Sequence, residues 1–207
     1  MNIAIVGATG NVGRKTLEVL EKKEIFIDNL YLVASSKSAG KKIKFQGKEI
    51  EVQDLINFDF SKVRIAFFAA GGKISEKFAE KAAKHCLVID NSSFFRMDPD
   101  VPLVVPQVNA DDLNDVKKNI IANPNCSTAQ LVIALKPLHD LFVIKRIVVS
   151  TYQSVSGAGK APMDELLEQT QLVLNGKNVK SQNFTKQIAF NACLLYTSDA
   201  ADDSWGV

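Results

Sequence analysis

One cysteine of this chain, Cys126, follows a turn and precedes an apolar run, in the stretch NPNCST at residues 123–128. Asn123 and Pro124 interrupt any preceding strand, and the run AQLVIAL that follows predicts a helix beginning at or just after the cysteine. Helix N-termini favour the thiolate form of a cysteine, and their backbone N–H groups can stabilise an oxyanion. The spacing therefore predicts a nucleophile, with a buried, inert thiol as the alternative.

A second chemical signature is the glycine pattern GATGNVG at residues 7–13. It follows NIAIV (2–6), which predicts a strand, and precedes residues 14–24, which predict a helix. In that context the first glycine permits a tight turn, the second lets the backbone approach a pyrophosphate, and the third lets helix and strand pack closely. The helix N-terminus stabilises phosphate charge. The predicted cofactor-binding residues are Gly7, Thr9, Gly10, Asn11, Val12 and Gly13.

The residues after the second predicted strand (29–35) favour NADP over NAD. NAD sites place an acid there to bind the ribose 2′-hydroxyl, whereas this chain reads ASSKSAGKK (34–42), with no acid before Glu49. Lys37, with the hydroxyls of Ser36 and Ser38, could hold a 2′-phosphate instead. The alternative is an ordinary solvated basic loop.

The elements that must position these residues alternate in type. Apolar runs predict strands at 64–70, 86–90 and 119–123, and periodic stretches predict helices at 73–85, 109–118 and 127–138, the last ending near Pro137. This alternation predicts an α/β fold with a parallel sheet. The run VIKRIVVSTYQ (143–153) predicts a long strand that starts a second sheet, and residues 161–176 predict a helix that Gly176 stops.

The bulk composition excludes several classes of protein. The 207 residues are 46% hydrophobic, with 25 Lys and Arg against 23 Asp and Glu, and no segment is both basic and aromatic, so no nucleic-acid partner is expected. The first apolar run is too short for a secretion signal or a membrane span. The three cysteines are widely spaced, which argues against a disulfide framework or a metal site. A cytoplasmic enzyme is expected.

Six motifs together resemble the aspartate-β-semialdehyde dehydrogenase family, in the family's order and over residues 1–192. They are VGATGNVG (6–13), ASSKSAGK (34–41), VIDNSSFFRMDPDVPLVVPQVN (88–109), NPNCST (123–128), STYQSVSGAG (150–159) and QIAFNA (187–192). N-acyl-glutamyl-phosphate reductases share the glycine loop but carry a glycine directly before the cysteine. Glyceraldehyde-phosphate dehydrogenases read Ser-Cys-Thr-Thr there, whereas this chain has Asn125-Cys126-Ser127.

The resemblance implies a Rossmann-type NADP-binding domain over residues 1–124, then the truncated start of an α+β catalytic and dimerisation domain over 125–192. It implies that Cys126 attacks β-aspartyl phosphate and releases phosphate, and that NADPH reduces the thioester to aspartate β-semialdehyde, for lysine, threonine and methionine synthesis. The parent protein is expected to be a homo-oligomer, a dimer or a tetramer. The residues carried over are Gln153, Arg96 and Asn91 for substrate and phosphate, and Ser156 and Gly157 for the nicotinamide end of the cofactor.

The family's acid–base histidine and second substrate arginine have no counterpart here, because His85 and His139 lack the family context. Residues 193–207, CLLYTSDAADDSWGV, match nothing in the family and carry three aspartates without a basic residue. The nucleotide string TGT CTC TTA TAC ACA TCT GAC GCT GCC GAC translates to CLLYTSDAAD, and it resembles a transposase adapter used in sequencing libraries. These residues are predicted to be adapter read-through, with a frameshift or a genuine divergent terminus as the alternative, and the polypeptide is expected to be inactive.

Two other functions compete with this interpretation. The first is a different acyl-phosphate reductase, such as N-acetyl-γ-glutamyl-phosphate reductase, which the acyl phosphate turned over would identify. The second is a non-catalytic NADP-binding module, which needs no activated thiol and which cysteine alkylation would therefore distinguish.

Overall fold

The computed structural model describes residues 1–23 and 25–193, and the chain divides into two compact units. The first unit runs from Met1 to Arg146 and the second begins at Ile147. The helix that starts at Cys126 therefore belongs to the first unit, and the predicted domain boundary after residue 124 stays a prediction. The predicted foreign tail lies outside the described residues, apart from Cys193.

Seven strands form one sheet in the first unit, in the order β3-β4-β2-β1-β5-β6-β7. All neighbouring pairs are parallel except β3 and β4. Helices cover a sheet of this kind on both faces, which is why its central strands are continuous apolar runs. The strands are β1 (Asn2–Val6), β2 (Asn29–Ala34), β3 (Lys42–Phe45), β4 (Lys48–Asp54), β5 (Ile65–Phe68), β6 (Leu87–Asp90) and β7 (Ile120–Ala122). The predicted α/β class with a parallel sheet is confirmed.

The described residues form five α-helices, of which the last belongs to the second unit: α1 (Asn11–Lys22), α2 (Gly72–Ala83), α3 (Pro106–Asn109), α4 (Cys126–Phe142) and α5 (Lys160–Leu174). Leu17 and Leu20 of α1 pack in a core cluster with Ile5 of β1 and Leu32 of β2. The buried alanines of α2 belong to the cluster that contains Phe68 of β5, and their small size lets this helix lie close to the sheet. No helix of the described chain is long and apolar enough to cross a membrane.

The hairpin of β3 and β4 is a feature that the sequence analysis did not predict. Its turn is Gln46-Gly47, with φ of +46° and +78°. Positive φ at both residues of a two-residue turn matches the right-handed twist of a hairpin, and glycine adopts it without strain. The alternation of KEIEVQD (48–54) on either side of such a turn was the available signal.

Two predicted elements are wrong. Residues 143–153 form no strand, and Val148 is 80% exposed. A strand needs a neighbouring strand to which it can hydrogen-bond, and the described residues of the second unit contain no strand. Helix α4 does not end near Pro137 but runs on to Phe142, with an ion pair between Lys136 and Asp140 across the proline. It ends where Val143 adopts a left-handed φ of +54°.

Candidate active site and cofactor site

Packing requires glycine at Gly7, which follows β1, and at Gly13, which lies in the first turn of α1. Gly7 has a φ of +88°, and a Cβ there would lie 2.6 Å from the carbonyl oxygen of Ala69. A Cβ at Gly13 would lie 2.3 Å from the carbonyl oxygen of Gly7. Both distances are shorter than real Cβ contacts, so any side chain at either position would displace backbone.

Gly10 is different, because a Cβ there would lie 3.3 Å from the carbonyl oxygen of Gly7, a tight but tolerable contact. Gly10 is the N-cap of α1 and offers no side-chain cap, and the first turn carries no acidic residue. Asn11 and Val12 are exposed on that turn. A helix that begins after a glycine loop, with no side-chain cap and no acid in its first turn, suits a pyrophosphate. The glycine allows the backbone to approach the phosphates, and the positive end of the helix dipole stabilises their charge.

The loop that follows β2 lies against the glycine loop. The Oγ1 of Thr9 donates a hydrogen bond to the Oγ of Ser38 at 3.4 Å. The amide of Ser38 donates to the carbonyl oxygen of Ser35 at 2.8 Å, so this loop is a structured turn. The adjacent Lys37 is exposed, and no ion pair is found for it in the described chain. Thr9 and Ser38 are therefore brought together as two predicted cofactor residues, with Lys37 beside them.

A carboxylate that the sequence analysis missed also stands at this loop. Asp54 ends β4 and lies opposite Ala34, the last residue of β2, in the parallel register. The hydroxyl of Ser36 donates to Oδ2 of Asp54 at 2.8 Å, and the amide of Ile56 donates to Oδ1 at 3.1 Å. Along the chain, no acid follows β2 before Glu49. Strand pairing nevertheless places Asp54, twenty residues downstream of Ala34, beside the end of β2.

The predicted helix start at the cysteine is confirmed, because Cys126 is the first residue of α4. Asn125 is the N-cap, and its Oδ1 accepts a hydrogen bond from the amide of Ser127 at 2.9 Å. The thiol of Cys126 is exposed and lies 3.8 Å from the same oxygen. An accessible thiol at a helix N-terminus, beside a buried amide, can act as a nucleophile.

Cys86 offers a contrast to this thiol. It is buried, and its Sγ donates to the carbonyl oxygen of Ala82 at 3.3 Å. Burial raises the pKa of Cys86 to about 11, because desolvation disfavours the thiolate. Cys86 is therefore a structural cysteine.

Arg96 lies against the loop that leads to Cys126. Its Nε donates to the carbonyl oxygen of Asn123 at 2.8 Å, and its Nη2 donates to the carbonyl oxygen of Asn91 at 3.2 Å. The side-chain amides of these two asparagines are also joined, since Nδ2 of Asn123 donates to Oδ1 of Asn91 at 2.6 Å. Only 8% of Arg96 is exposed. An arginine fixed by these backbone contacts holds a positive charge beside the loop that leads to the thiol, and such a charge attracts an oxyanion.

The turn that carries Asn91 is held by Asp90, which the sequence analysis did not identify. The Asp90 side chain is fully buried and accepts three hydrogen bonds: from the Ser75 hydroxyl at 2.7 Å, and from the Ser92 amide and hydroxyl at 3.0 and 2.7 Å. A buried carboxylate is tolerated only when donors satisfy it. The aspartate thus fixes the start of the segment that ends in Arg96.

The predicted residues of the second unit lie close to one another. A short 3₁₀ turn spans Val155–Ala158, and it carries Ser156 and Gly157. A Cβ at Gly157 would lie 2.4 Å from Nε2 of Gln153, so the glycine leaves room for that amide. The roles predicted for Gln153, Ser156 and Gly157 stay predictions.

Neither histidine lies next to the thiol. His85 follows α2 at the amino edge of the sheet, because β6 begins two residues later, whereas Cys126 follows the carboxyl end of β7. His139 is thirteen residues from Cys126 on the same helix, which is about 20 Å along its axis. No group of three potential metal-ligating side chains is found in the described residues.

Comparisons with known proteins point to one family. The model for the NAD-binding domain of semialdehyde dehydrogenases matches residues 2–116, and the model for their dimerisation domain matches residues 135–205. Aspartate-semialdehyde dehydrogenase 2 of Vibrio cholerae is 54% identical over 99% of this chain and 61% of its own length. The aspartate-semialdehyde dehydrogenase of Aquifex aeolicus is 55% identical over 92% of this chain and 57% of its own. The chain thus spans about three-fifths of such relatives.

Solved structures agree with these matches. Aspartate semialdehyde dehydrogenase II of Vibrio cholerae, in a complex with ASA, superposes with a TM-score of 0.89 at 50% identity, over 96% of this chain and 61% of that one. The Candida albicans enzyme with NADP superposes with a TM-score of 0.56 at 31% identity, over 70% of this chain and 48% of that one.

The matches differ in how much of this chain they cover. The dimerisation-domain model extends to residue 205, and the alignment with the Vibrio cholerae relative spans 206 residues, whereas that with the Aquifex aeolicus relative spans 194. The foreign origin of residues 193–207 therefore stays a prediction, which genomic DNA sequence across the codon for Ala192 would test.

Proposed function

Because this chain belongs to the semialdehyde dehydrogenase family, we propose that its parent protein reduces β-aspartyl phosphate to aspartate β-semialdehyde with NADPH. The observation that carries the proposal is the contact between Arg96 and the carbonyl oxygen of Asn123. The contact places the guanidinium against Asn123, three residues before a thiol at a helix N-terminus. A nucleophile and a cation for the phosphate are the two groups that acyl-phosphate cleavage needs.

Cys126 is the proposed nucleophile. Its thiolate attacks the acyl carbon of β-aspartyl phosphate, an S–C bond forms, the C–O bond to phosphate breaks, and inorganic phosphate leaves. The first-turn N–H groups of α4 stabilise the oxyanion that develops on the acyl oxygen. The side chain of Asn125 supports this geometry, because it caps the helix that carries the thiol.

Arg96 is the proposed phosphate-binding residue, with Asn91 supporting it. Its two backbone contacts orient the guanidinium before substrate arrives, so little orientational freedom is lost on binding. The amide of Asn91 is engaged with Asn123, and this supports a role in holding the arginine rather than in touching substrate. Gln153 is the proposed residue that orients the acyl group.

The proposed cofactor site in the first unit comprises the glycine loop, Lys37 and Ser38. The family resemblance also implies that Ser156 and Gly157 serve the nicotinamide end of the cofactor. When bound there, NADPH supplies the hydride that reduces the thioester. The bare N-terminus of α1 and the exposed Lys37 support an anionic cofactor with a 2′-phosphate. We further propose that the parent is a cytoplasmic homo-oligomer, which the match to a dimerisation domain supports.

The acid–base histidine is proposed to lie in the part of the relatives that this chain does not span. The positions of His85 and His139 support this, since neither is near the thiol. Loss of a positioned acid–base group typically reduces turnover about 10²–10⁴-fold. The 207-residue chain is therefore proposed to acylate without completing turnover at a useful rate.

A phosphate-release experiment tests the proposal on the chain itself. β-Aspartyl phosphate should release about one equivalent of inorganic phosphate per chain in a burst, with an aspartyl adduct on Cys126 visible by intact-mass analysis. The Cys126→Ser variant should show neither. A burst with N-acetyl-γ-glutamyl phosphate but not with β-aspartyl phosphate would identify the other acyl-phosphate reductase. No burst with either acyl phosphate, together with NADP binding, would leave a non-catalytic binding module.

A further inference from the structure

The family resemblance implies no role for Asp54. It ends β4 beside the end of β2, and cofactors of open α/β sheets bind at the carboxyl ends of such strands. Its Oδ2 accepts the hydroxyl proton of Ser36, the residue that precedes Lys37. Strand pairing thus brings a negative charge to the loop that is proposed to hold the 2′ group of the cofactor.

The hydrogen bond restricts what Ser36 can recognise. A serine hydroxyl has one proton, and Ser36 donates it to Asp54, so the remaining lone pairs of its oxygen can only accept. A ribose 2′-hydroxyl can donate to such an oxygen. A doubly ionised 2′-phosphate has only acceptors, and the charge of Asp54 repels it.

Lys37 and Ser38, by contrast, favour a 2′-phosphate. Lys37 is exposed with its positive charge beside Ser36, and Ser38 accepts from Thr9 of the glycine loop, which leaves its own proton for a phosphate oxygen. The loop therefore contains one pair of groups that favours a 2′-phosphate and another pair that favours a 2′-hydroxyl.

We infer that Asp54 is a specificity-determining residue, which orients Ser36 as a hydrogen-bond acceptor and weakens the preference for NADP over NAD. The inference rests on the proposed cofactor site. It implies that the chain discriminates against NAD less strongly than the sequence of the loop alone predicts. Removing the charge of Asp54 should strengthen that discrimination.

The test measures binding of two probes of the adenosine end to the 207-residue chain by titration calorimetry: adenosine 2′,5′-bisphosphate and 5′-AMP. In the Asp54→Asn variant, the amide oxygen can still cap Ile56, while the amide nitrogen donates to Ser36 and releases its proton for a phosphate. The ratio of the affinity for the bisphosphate to the affinity for 5′-AMP should be about five-fold higher in this variant than in the wild-type chain. In Ser36→Ala, 5′-AMP should lose more affinity than the bisphosphate.

Asp59→Asn is the matched control. Asp54 caps the 3₁₀ turn Leu55–Asn57, and Asp59 caps the 3₁₀ turn Phe60–Lys62, where its side chain accepts from the amide of Ser61. The second turn precedes β5 at the amino edge of the sheet. The two asparagine variants share the loss of a capping carboxylate, so any difference in probe preference comes from position. Asp59→Asn should leave the ratio of the two affinities unchanged.

The outcomes separate this inference from the proposed function. A wild-type preference for the bisphosphate, with an unchanged or lower ratio in Asp54→Asn, overturns the inference and leaves the NADP site standing. A wild-type chain without that preference, whose ratio still rises in Asp54→Asn, supports the inference and overturns the NADP assignment. A wild-type chain that binds neither probe overturns both.

Discussion

The Nε of Arg96 lies 2.8 Å from the carbonyl oxygen of Asn123, so the arginine segment and the cysteine loop are joined directly. The two segments follow different strands, β6 and β7, whose register places Asp90 opposite Ala122. The contact makes the orientation of the guanidinium dependent on the backbone that leads to Cys126. A phosphate bound by Arg96 should therefore affect the reactivity of that thiol.

Arg96→Lys should weaken phosphate binding near Cys126. Lysine keeps the charge but cannot form the two-pronged contact with the carbonyl oxygens of Asn123 and Asn91, so its ammonium is not held in place. Inorganic phosphate should slow alkylation of Cys126 in the wild-type chain, and about ten-fold more phosphate should be needed in the variant. Arg64→Lys, at the amino edge of β5, is the control. Equal protection in both variants would remove Arg96 from the phosphate site.

Cys126 should alkylate about ten-fold or more faster than Cys86 near neutral pH. Cys126 is exposed at a helix N-terminus, whereas burial raises the pKa of Cys86 to about 11 and keeps that thiol protonated. Iodoacetamide labelling followed by peptide mass analysis measures both rates at once. In Cys126→Ser, the fast phase should vanish while Cys86 keeps its slow rate. Faster labelling of Cys86 in the native chain would contradict the assignment.

Two glycine variants should separate packing from cofactor binding. Gly13→Ala brings a Cβ within 2.3 Å of a backbone oxygen and should lower the free energy of unfolding by about 1–3 kcal/mol. Gly10→Ala meets that oxygen at 3.3 Å and should cost about 1 kcal/mol or less, while it reduces affinity for NADP. Denaturant titration and nucleotide binding measure the two effects. A Gly10→Ala variant that binds NADP normally would exclude close approach of the pyrophosphate there.

Lys37→Glu should erase or reverse the preference for NADP over NAD. The substitution replaces a cation with an anion beside the proposed 2′-phosphate position, so affinity for NADP should fall about ten-fold or more while NAD changes little. Calorimetric titration with both cofactors measures this ratio. Lys48→Glu makes the same change of charge at the start of β4, on the opposite edge of the sheet, and should leave the ratio unchanged. Equal losses in both variants would point to net charge alone.

The segment that contains Gln182 and Asn183 should lose protection in acid because their amides donate to Glu165. Desolvation raises the pKa of Glu165, but hydrogen bonds from the amides of Gln182 and Asn183 and from two side chains outweigh it, so the pKa is lowered. A lowered folded-state pKa means that this stabilisation is complete above the unfolded value, about 4.3, and is lost as the pH falls through the folded value.

Hydrogen exchange measures this effect locally. Protection of the Gln182 and Asn183 amides, relative to an unstructured peptide, should decline as the pH falls below about 4. Glu165→Gln should lose about 1–3 kcal/mol of protection even at neutral pH, because a neutral amide accepts fewer and weaker bonds. Glu168→Gln, on the same helix, is the control. Unchanged protection at Gln182 and Asn183 in Glu165→Gln would show that the carboxylate does not hold this segment.

The sequence by itself determined the elements whose signals are local. The glycine loop between β1 and α1, the helix start at Cys126 and the apolar runs of the parallel sheet all depend on residues within one turn or one strand of each other. Periodicity, turn chemistry and capping act over that range, so a single chain segment carries enough information to predict them. The resemblance to one family rested on motifs of the same kind.

Only the tertiary structure decided which distant residues meet. Asp54 reaches Ser36 because β4 pairs with β2, and Arg96 reaches Asn123 because β6 pairs with β7. The strand predicted at 143–153 failed for the same reason, since a strand forms through hydrogen bonds to a neighbour that its own residues do not specify. Pairing is a property of the whole sheet, so the contacts of Asp54 with Ser36 and of Arg96 with Asn123 could not be derived from local patterns.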